Sequence, residues 1–222
     1  KRKSKLEIGF DIMAPYVGNT IPKKELYSII EETLDFDFPL QPISENIYSL
    51  ELFHGPTLAF KDVGARFLSR CMGFFAGKLA QKIVVLVATS GDTGGAVADA
   101  FHNIPGTEVI ILYPSGKVSP VQEKQLTALG GNIHALEIEG DFDDCQKLVK
   151  MAFLDDELKE NILLTSSNSI NVARWLPQQI YYVLAMTQWA FDQEPIVAVP
   201  SGNFGNLCAG LVAKQSGLPI GH

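Results

Sequence analysis

IVVLVATSGDTGGAVADAFH, residues 83–102, combines a strand, a glycine-rich turn and a helix in one continuous segment. Its first six residues are apolar and mostly β-branched, which is typical of a strand buried on both faces. The small residues over 94–102 predict a closely packed helix. Because strands buried on both faces occur almost only in parallel sheets, the segment predicts an α/β fold.

The same alternation continues toward the end of the chain. We predict strands at 109–113 and 133–138 and in ILLTSS and PIVAVPS, and helices over 120–129, 142–158, 172–191 and 206–215. Ser119 is placed as the N-cap of the helix over 120–129, with Pro120 in its first turn. Nearer the start, we predict a helix over 23–34 and a strand over 46–53. The alternation predicts parallel sheets with helices on both faces and right-handed crossovers.

Composition narrows the class of protein. The 222 residues are 46% hydrophobic and 19% charged, as in ordinary globular proteins, and the net charge of −7 argues against non-specific nucleic-acid binding. No apolar run is long enough to cross a bilayer, and no signal-peptide pattern opens the chain. Three scattered cysteines and four dispersed histidines predict reduced thiols and no metal site. We therefore expect a soluble, cytoplasmic protein without a membrane partner.

Three turns rich in glycine, serine and asparagine follow predicted strands. They are ATSGDTGG (88–95), TSSNSINVAR (165–174) and PSGNFGN (200–206). In open parallel sheets, ligands bind at the carboxyl ends of the strands, where helix N-termini can hold anions. The first could equally be a plain strand-to-helix turn, and the third matches neither the Walker nor the GxGxxG pattern. The second carries five Ser or Asn in its first seven positions and then an arginine, more donors than a helix cap needs.

Lys61 lies between the apolar approach HGPTLAF (54–60) and DVGARFL (62–68), which is typical of the first turns of a helix. Partial burial among these neighbours would lower the pKa of the ammonium and free the amine for Schiff-base chemistry. The alternative is a surface lysine whose stem lies along apolar residues. One such lysine together with phosphate-type turns suits a phosphorylated aldehyde, which indicates pyridoxal 5′-phosphate as the cofactor.

Four segments resemble the threonine synthases of enteric bacteria and yeast. They are LFHGPTLAFKDVGARF, VLVATSGDTGGAVADAF, LTSSNSINVARWLPQQIYY and VPSGNFGN, and the likeness runs from about residue 34 to the end. The resemblance implies the tryptophan-synthase-β-like fold, fold type II of the pyridoxal-phosphate enzymes. It also implies a carbon–oxygen lyase that converts O-phospho-L-homoserine and water to L-threonine and phosphate.

The resemblance assigns a role to each matching residue. Lys61 corresponds to the Schiff-base lysine, which can also act as base and acid on the substrate. Asp92 corresponds to the position beside the pyridine 3′-oxygen, where many relatives carry asparagine. The cofactor phosphate would be held by Gly202, Asn203, Phe204, Gly205 and Asn206. The substrate phosphate or carboxylate would be held by Thr93, Ser169 and Arg174, with Asn168 and Asn171 nearby.

The resemblance also predicts the domain organisation. Residues 1–80 would form an N-terminal part of a large domain with Lys61, 81–190 a smaller α/β domain, and 191–222 the next part of the large domain. The chain begins in mid-pattern and ends straight after a helix, so we expect a fragment of a longer protein, a monomer or a homodimer. Alternatives are another fold type II lyase (a threonine or serine dehydratase, or a cysteine-synthase-like enzyme), a non-catalytic fragment, and a nucleotide-binding or structural α/β module.

Overall fold

A computed structural model describes residues 3–221 of the chain. Lys1, Arg2 and His222 lie outside the described residues. They stand at the ends of the predicted N-terminal and C-terminal regions, 1–80 and 191–222. In chain order the elements are α1 (Lys5–Val17), α2 (Lys23–Thr33), β1 (Leu40–Ser44), β2 (Ile47–Leu50), α3 (Asp62–Ala76), β3 (Ile83–Ala88), α4 (Asp92–Phe101), β4 (Thr107–Pro114), α5 (Pro120–Thr127), β5 (Ile133–Ile138), α6 (Phe142–Leu154), α7 (Asp156–Asn161), β6 (Leu163–Ser166), α8 (Val172–Trp175), a 3₁₀ turn (Leu176–Gln178), α9 (Gln179–Gln188) and α10 (Gly205–Gln215).

The internal contacts divide the chain into two compact units. The first unit combines the residues up to Phe67 with those from Val172 onward, and the second unit is Leu68–Asn171. The boundaries predicted after residues 80 and 190 lie further along the chain than the observed divisions, which follow Phe67 and Asn171. The physical reason is that α3 crosses the first boundary, while α9 packs against α1 and α10 and therefore belongs to the first unit.

The second unit is built on a four-stranded parallel sheet with the strand order β5-β4-β3-β6. The chain moves from β3 through β4 to β5 in one direction and then returns across the sheet to β6. Right-handed crossovers therefore place α4 and α5 on one face and α6 on the other. Leu86, Ala88 and Leu112 pack against Cys145 and Val149 of α6, and all five are buried. The carboxyl ends of β3 and β6 are consequently neighbours.

The first unit holds its helices together through a separate apolar core. Met13 of α1 and Leu26 of α2 are at most 2% exposed, as are Ile180 and Tyr181 of α9. Gly9 permits the close approach of α1, because a Cβ there would lie within 3.0 Å of the side chains of Leu34 and Ile30. Among its described residues, this unit carries one two-stranded antiparallel sheet, in which β1 pairs with β2.

Several predicted elements have different limits in the structure. The helix predicted over 142–158 is interrupted at Asp155, which caps α6 and whose carboxylate accepts from the N–H of Leu158 at the start of α7. The helix predicted over 172–191 is interrupted near Pro177, which has no N–H to donate. The described residues 195–201 form no strand, and Ile196 is 79% exposed. An apolar run needs a neighbouring strand to satisfy its backbone, and the described chain places none beside it.

Candidate active site

Lys61 is the residue directly before α3, and the loop that carries it is closed by its neighbour Asp62. Lys61 is half-buried, its carbonyl accepts from the N–H of Ala65, and its Nζ lies 4.7 Å from the centroid of the Phe60 ring. Asp62 is 1% exposed. Its carboxylate accepts from the Thr57 N–H at 3.0 Å and also from the Thr57 hydroxyl. The backbone on both sides of Lys61 is therefore held by buried polar contacts.

Two buried polar side chains, one on α8 and one on α9, lie near the same loop. The Tyr181 hydroxyl donates to the carbonyl of Phe60, and Arg174 is 5% exposed. Burial lowers the pKa of Arg174 to about 10, against the attraction of Tyr181 and Asp62, so the guanidinium stays charged at neutral pH. Burial raises the pKa of the Tyr181 hydroxyl well above its usual value. Lys61 and Arg174 thus lie in one unit, with Asp62 interacting with Arg174.

The loop 202–206 leads into α10 with the geometry of an anion site. Phe204 has φ 55° and caps the helix without a side-chain hydrogen bond, which leaves the first N–H groups of α10 for a ligand. Nothing lies within 4 Å of a Cβ built on Gly202. Residues 202–204 are exposed, whereas Gly205 and Asn206 are half-buried. An open loop that offers backbone donors at a helix N-terminus fits a phosphate group.

Asn206 connects this loop to the region around Arg174. The Tyr182 hydroxyl donates to the backbone carbonyl of Asn206 at 2.8 Å or to its Oδ1 at 2.7 Å, and Asn206 Nδ2 donates to Gln178 Oε1 at 3.0 Å. Gln178 Nε2 in turn donates to the carbonyl of Arg174 at 3.0 Å. The first unit therefore links the predicted phosphate loop and Arg174 through one continuous set of hydrogen bonds.

The turn after β3 is organised by a residue that the sequence interpretation did not single out. Thr89 is 1% exposed, and its hydroxyl accepts from the N–H groups of Gly91 and Gly94 at 3.0 and 2.8 Å. Asp92 is exposed, and its Oδ1 accepts from Gln122 Nε2 at 2.7 Å. Thr93 beside it is half-buried. The threonine-rich pattern of the turn was the available signal for Thr89.

The Ser/Asn turn after β6 is fastened to the end of β3. Asn168 pairs with Ala88 twice, accepting from its N–H at 3.2 Å and donating to its carbonyl at 2.8 Å. Asn171 Nδ2 donates to the carbonyl of Ser166 at 3.0 Å, while Ser169 is exposed. The structure thus brings the turn carrying Asn168, Ser169 and Asn171 next to the turn carrying Asp92 and Thr93, as the order of strands β3 and β6 requires.

A cavity of about 480 Å³ opens beside this turn, within the second unit. It is lined by Ala88, Gln146, Val149, Lys150, Phe153, Leu164, Thr165, Ser166, Asn168, Ser169, Ile170 and Asn171. Gln146 and Lys150 were not predicted from the sequence. Their signal was the i, i+3, i+4, i+7 spacing of residues 146, 149, 150 and 153 on α6, which places all four on one helix face.

The predicted site residues are divided between the two units. Lys61, Arg174 and 202–206 belong to the first unit, and the others belong to the second. Within residues 3–221, no group of three or more His, Cys, Asp or Glu is placed to hold a metal ion. Likewise, none of the helices described there is long and apolar enough to span a membrane.

Comparison with known proteins gives consistent matches over nearly the whole chain. The model of the family described as "Pyridoxal-phosphate dependent enzyme" matches residues 38–219. The threonine synthase of Haemophilus influenzae is 50% identical over 94% of this chain, which corresponds to 49% of that protein. The chain spans about half the length of the curated relatives it matches.

Solved structures confirm the predicted fold. The crystal structure of threonine synthase from Escherichia coli matches 98% of this chain and 51% of its own, with a TM-score of 0.91 and 46% identity. The crystal structure of PLP-bound threonine synthase from Brucella melitensis matches 98% of this chain and 48% of its own, with a TM-score of 0.89 and 44% identity. The α/β fold of the pyridoxal-phosphate enzymes is thereby established for this chain.

Proposed function

Because this chain belongs to the family of pyridoxal-phosphate dependent enzymes, we propose that it forms the catalytic part of a threonine synthase. The reaction converts O-phospho-L-homoserine and water to L-threonine and inorganic phosphate. Relatives that carry this name are 48–50% identical to the chain over 94% of its length, which supports the proposal. The geometry of the loop 202–206 and of the turn after β6 supports it as well.

The residues of the first unit fit the cofactor. Lys61 provides an amine on a backbone fixed by Asp62, and the loop 202–206 provides backbone donors for the cofactor phosphate. In the second unit, we assign Asp92 to the oxygen on the pyridine ring. When bound, pyridoxal phosphate supplies an aldehyde that condenses with amines and a ring that accepts electron density from the substrate carbons.

The protein's own part in the reaction is to bind, orient and move protons. Lys61, once its amine is free, removes and returns protons at Cα and Cβ of the substrate. In the second unit, we assign the turn at 168–171 and Thr93 to the substrate's anionic groups; in the first unit, we assign Arg174 to the same role. Phosphate leaves from Cγ and water adds at Cβ, so hydroxyl and cationic donors at the departing oxygen stabilise the charge that develops there.

The observation that carries the proposal is the presence of two separate places suited to anions. One is the open N-terminus of α10, and the other is the cavity beside the Ser/Asn turn, which no acidic side chain lines. A phosphorylated cofactor needs one such place. A second such place fits an anionic group of the substrate, its carboxylate or a phosphate. The substrates of a serine or threonine dehydratase or a cysteine-synthase-like enzyme carry a carboxylate but no phosphate, so the phosphate group is what distinguishes the proposed reaction from theirs.

The same proposal extends to location and assembly. Cys71, Cys145 and Cys208 are all free thiols in the structure, which supports a reducing, cytoplasmic location. We propose a monomer or homodimer that acts on a small molecule and binds neither nucleic acid nor membrane.

The test is the reaction itself. The full-length protein, loaded with pyridoxal phosphate, should release phosphate from O-phospho-L-homoserine and form an equal amount of L-threonine. Lys61→Ala should abolish both products. Formation of a keto acid from L-serine or L-threonine without phosphate release from O-phospho-L-homoserine would instead establish a dehydratase.

A further inference from the structure

We propose that Lys150 of α6 contacts the phosphate group of the substrate in the cavity beside the Ser/Asn turn. This inference rests on the proposed function, because it adds a residue from a different element to the same substrate site. The cavity has one wall from α6 and another from β6 with the turn that follows it. At about 480 Å³ it is in the size range of small-molecule sites.

The orientation of α6 explains why Lys150 reaches the cavity. Gln146, Val149, Lys150 and Phe153 recur at helical spacing and all line it. Val149 is buried against the sheet, so the helix cannot rotate this face away without exposing its apolar contacts. Lys147 lies one residue after Gln146 and is exposed, as Lys150 is, but it does not line the cavity.

The polar groups of the cavity select an anion. No aspartate or glutamate is among the lining residues. The carboxamide of Asn168 already pairs with Ala88. In the described part of the chain, by contrast, no side chain or carbonyl forms a hydrogen bond or ion pair with the Lys150 ammonium or the Ser169 hydroxyl. A cation from α6 and a hydroxyl from the turn after β6 are thus available at the cavity.

Electrostatics favour a cation at this cavity. The protein carries a net charge of −7, so its overall field opposes the approach of a phosphate dianion. The apolar side chains of Val149, Phe153 and Leu164 reduce the local dielectric constant, which strengthens attraction between the ammonium and the phosphate. A phosphomonoester is therefore the ligand class that this cavity fits.

The experiment compares Lys150→Ala with Lys147→Ala in the full-length protein loaded with pyridoxal phosphate. Lys150→Ala should lower kcat/KM for O-phospho-L-homoserine by about tenfold or more, the typical effect of losing a charge-assisted hydrogen bond, because Lys150 holds the phosphate before and during its departure. Lys150→Arg should retain part of the affinity, because it keeps the charge. Lys147→Ala should match the unaltered protein.

Two binding measurements separate this inference from the proposed function. Titration with inorganic phosphate, followed by ³¹P NMR, should show weaker binding to Lys150→Ala than to Lys147→Ala even if the protein proves to catalyse another reaction. The dissociation constant for pyridoxal phosphate should be the same in both variants. Equal phosphate affinity in the two variants, or a loss confined to pyridoxal phosphate, would overturn the inference. If circular dichroism shows that Lys150→Ala is unfolded, Lys150→Gln takes its place.

Discussion

Replacement of Gly64 by alanine tests the packing that holds the loop of Lys61. Gly64 lies in the first turn of α3, and a Cβ built there would be well within 3.0 Å of the carbonyl oxygen of Arg174. Because that oxygen is backbone, relief requires α3 and α8 to separate by about 1 Å. The same carbonyl accepts from Gln178, so the shift also strains that hydrogen bond.

The expected loss follows from three contributions. Overpacking against backbone costs about 3 kcal/mol, and the weakened hydrogen bond costs about 1 kcal/mol. The higher helix propensity of alanine returns about 1 kcal/mol. The net loss of about 3 kcal/mol corresponds to a decrease in Tm of roughly 6–12 °C for a protein of this size.

Gly73→Ala in the same helix is the matched control. A Cβ there would meet only the γ2 methyl group of Ile104, at 3.0 Å, and a shift of a few tenths of an ångström relieves this contact. It should leave the Tm unchanged or raise it slightly, since it gains the same propensity. The measurement is thermal and urea unfolding of both variants. If Gly64→Ala is as stable as Gly73→Ala, the close contact between α3 and α8 is wrong.

Three further outcomes are expected. Tyr182→Phe should lower the free energy of unfolding by about 1 kcal/mol in urea titrations and weaken pyridoxal-phosphate binding, because Asn206 loses the hydroxyl that holds it; unchanged cofactor affinity would contradict this. Gln122→Glu should keep the cap on α5 but set a second carboxylate against Asp92, so its Tm should rise when salt is added to about 0.5 M, whereas the Tm of Gln122→Ala should change less. Burial raises the pKa of Cys71 to about 12 from 9.0, so the folded state binds its proton more tightly and stability should fall as the pH rises from 9.0 toward that value; Cys71→Ala should flatten this part of the Tm–pH curve.

The sheet of the second unit was predictable because its strands are buried and continuous in sequence. The runs at 83–88 and 133–138 have the predicted limits, and Ser119 caps α5 together with Gln122 as its sequence indicates. The interruption of a helix at Pro177 was also visible in the sequence and was missed. The apolar run at 195–199 predicted a strand that the described residues do not form. Apolar composition alone does not provide the neighbouring strand that a sheet needs.

The predicted site shows a similar division. Sequence order and donor density identified the turns at 88–95 and 165–171, which the parallel pairing of β3 and β6 brings together. Which partner each side chain bonds to, and which side chains line the cavity, depends on packing and could not be predicted. Asn168 is engaged with Ala88, and Lys150 comes from a helix face that carries no recognisable motif. Contacts between distant segments have no local signature in the sequence.

Chemical trapping of the cofactor on the protein tests the central claim most directly. The protein loaded with pyridoxal phosphate is reduced with borohydride, digested, and analysed by mass spectrometry. We expect a phosphopyridoxyl group on Lys61, in the tryptic peptide 25–66, and its loss in Lys61→Ala. A label on a different lysine, or equal labelling of the Lys61→Ala protein, would contradict it.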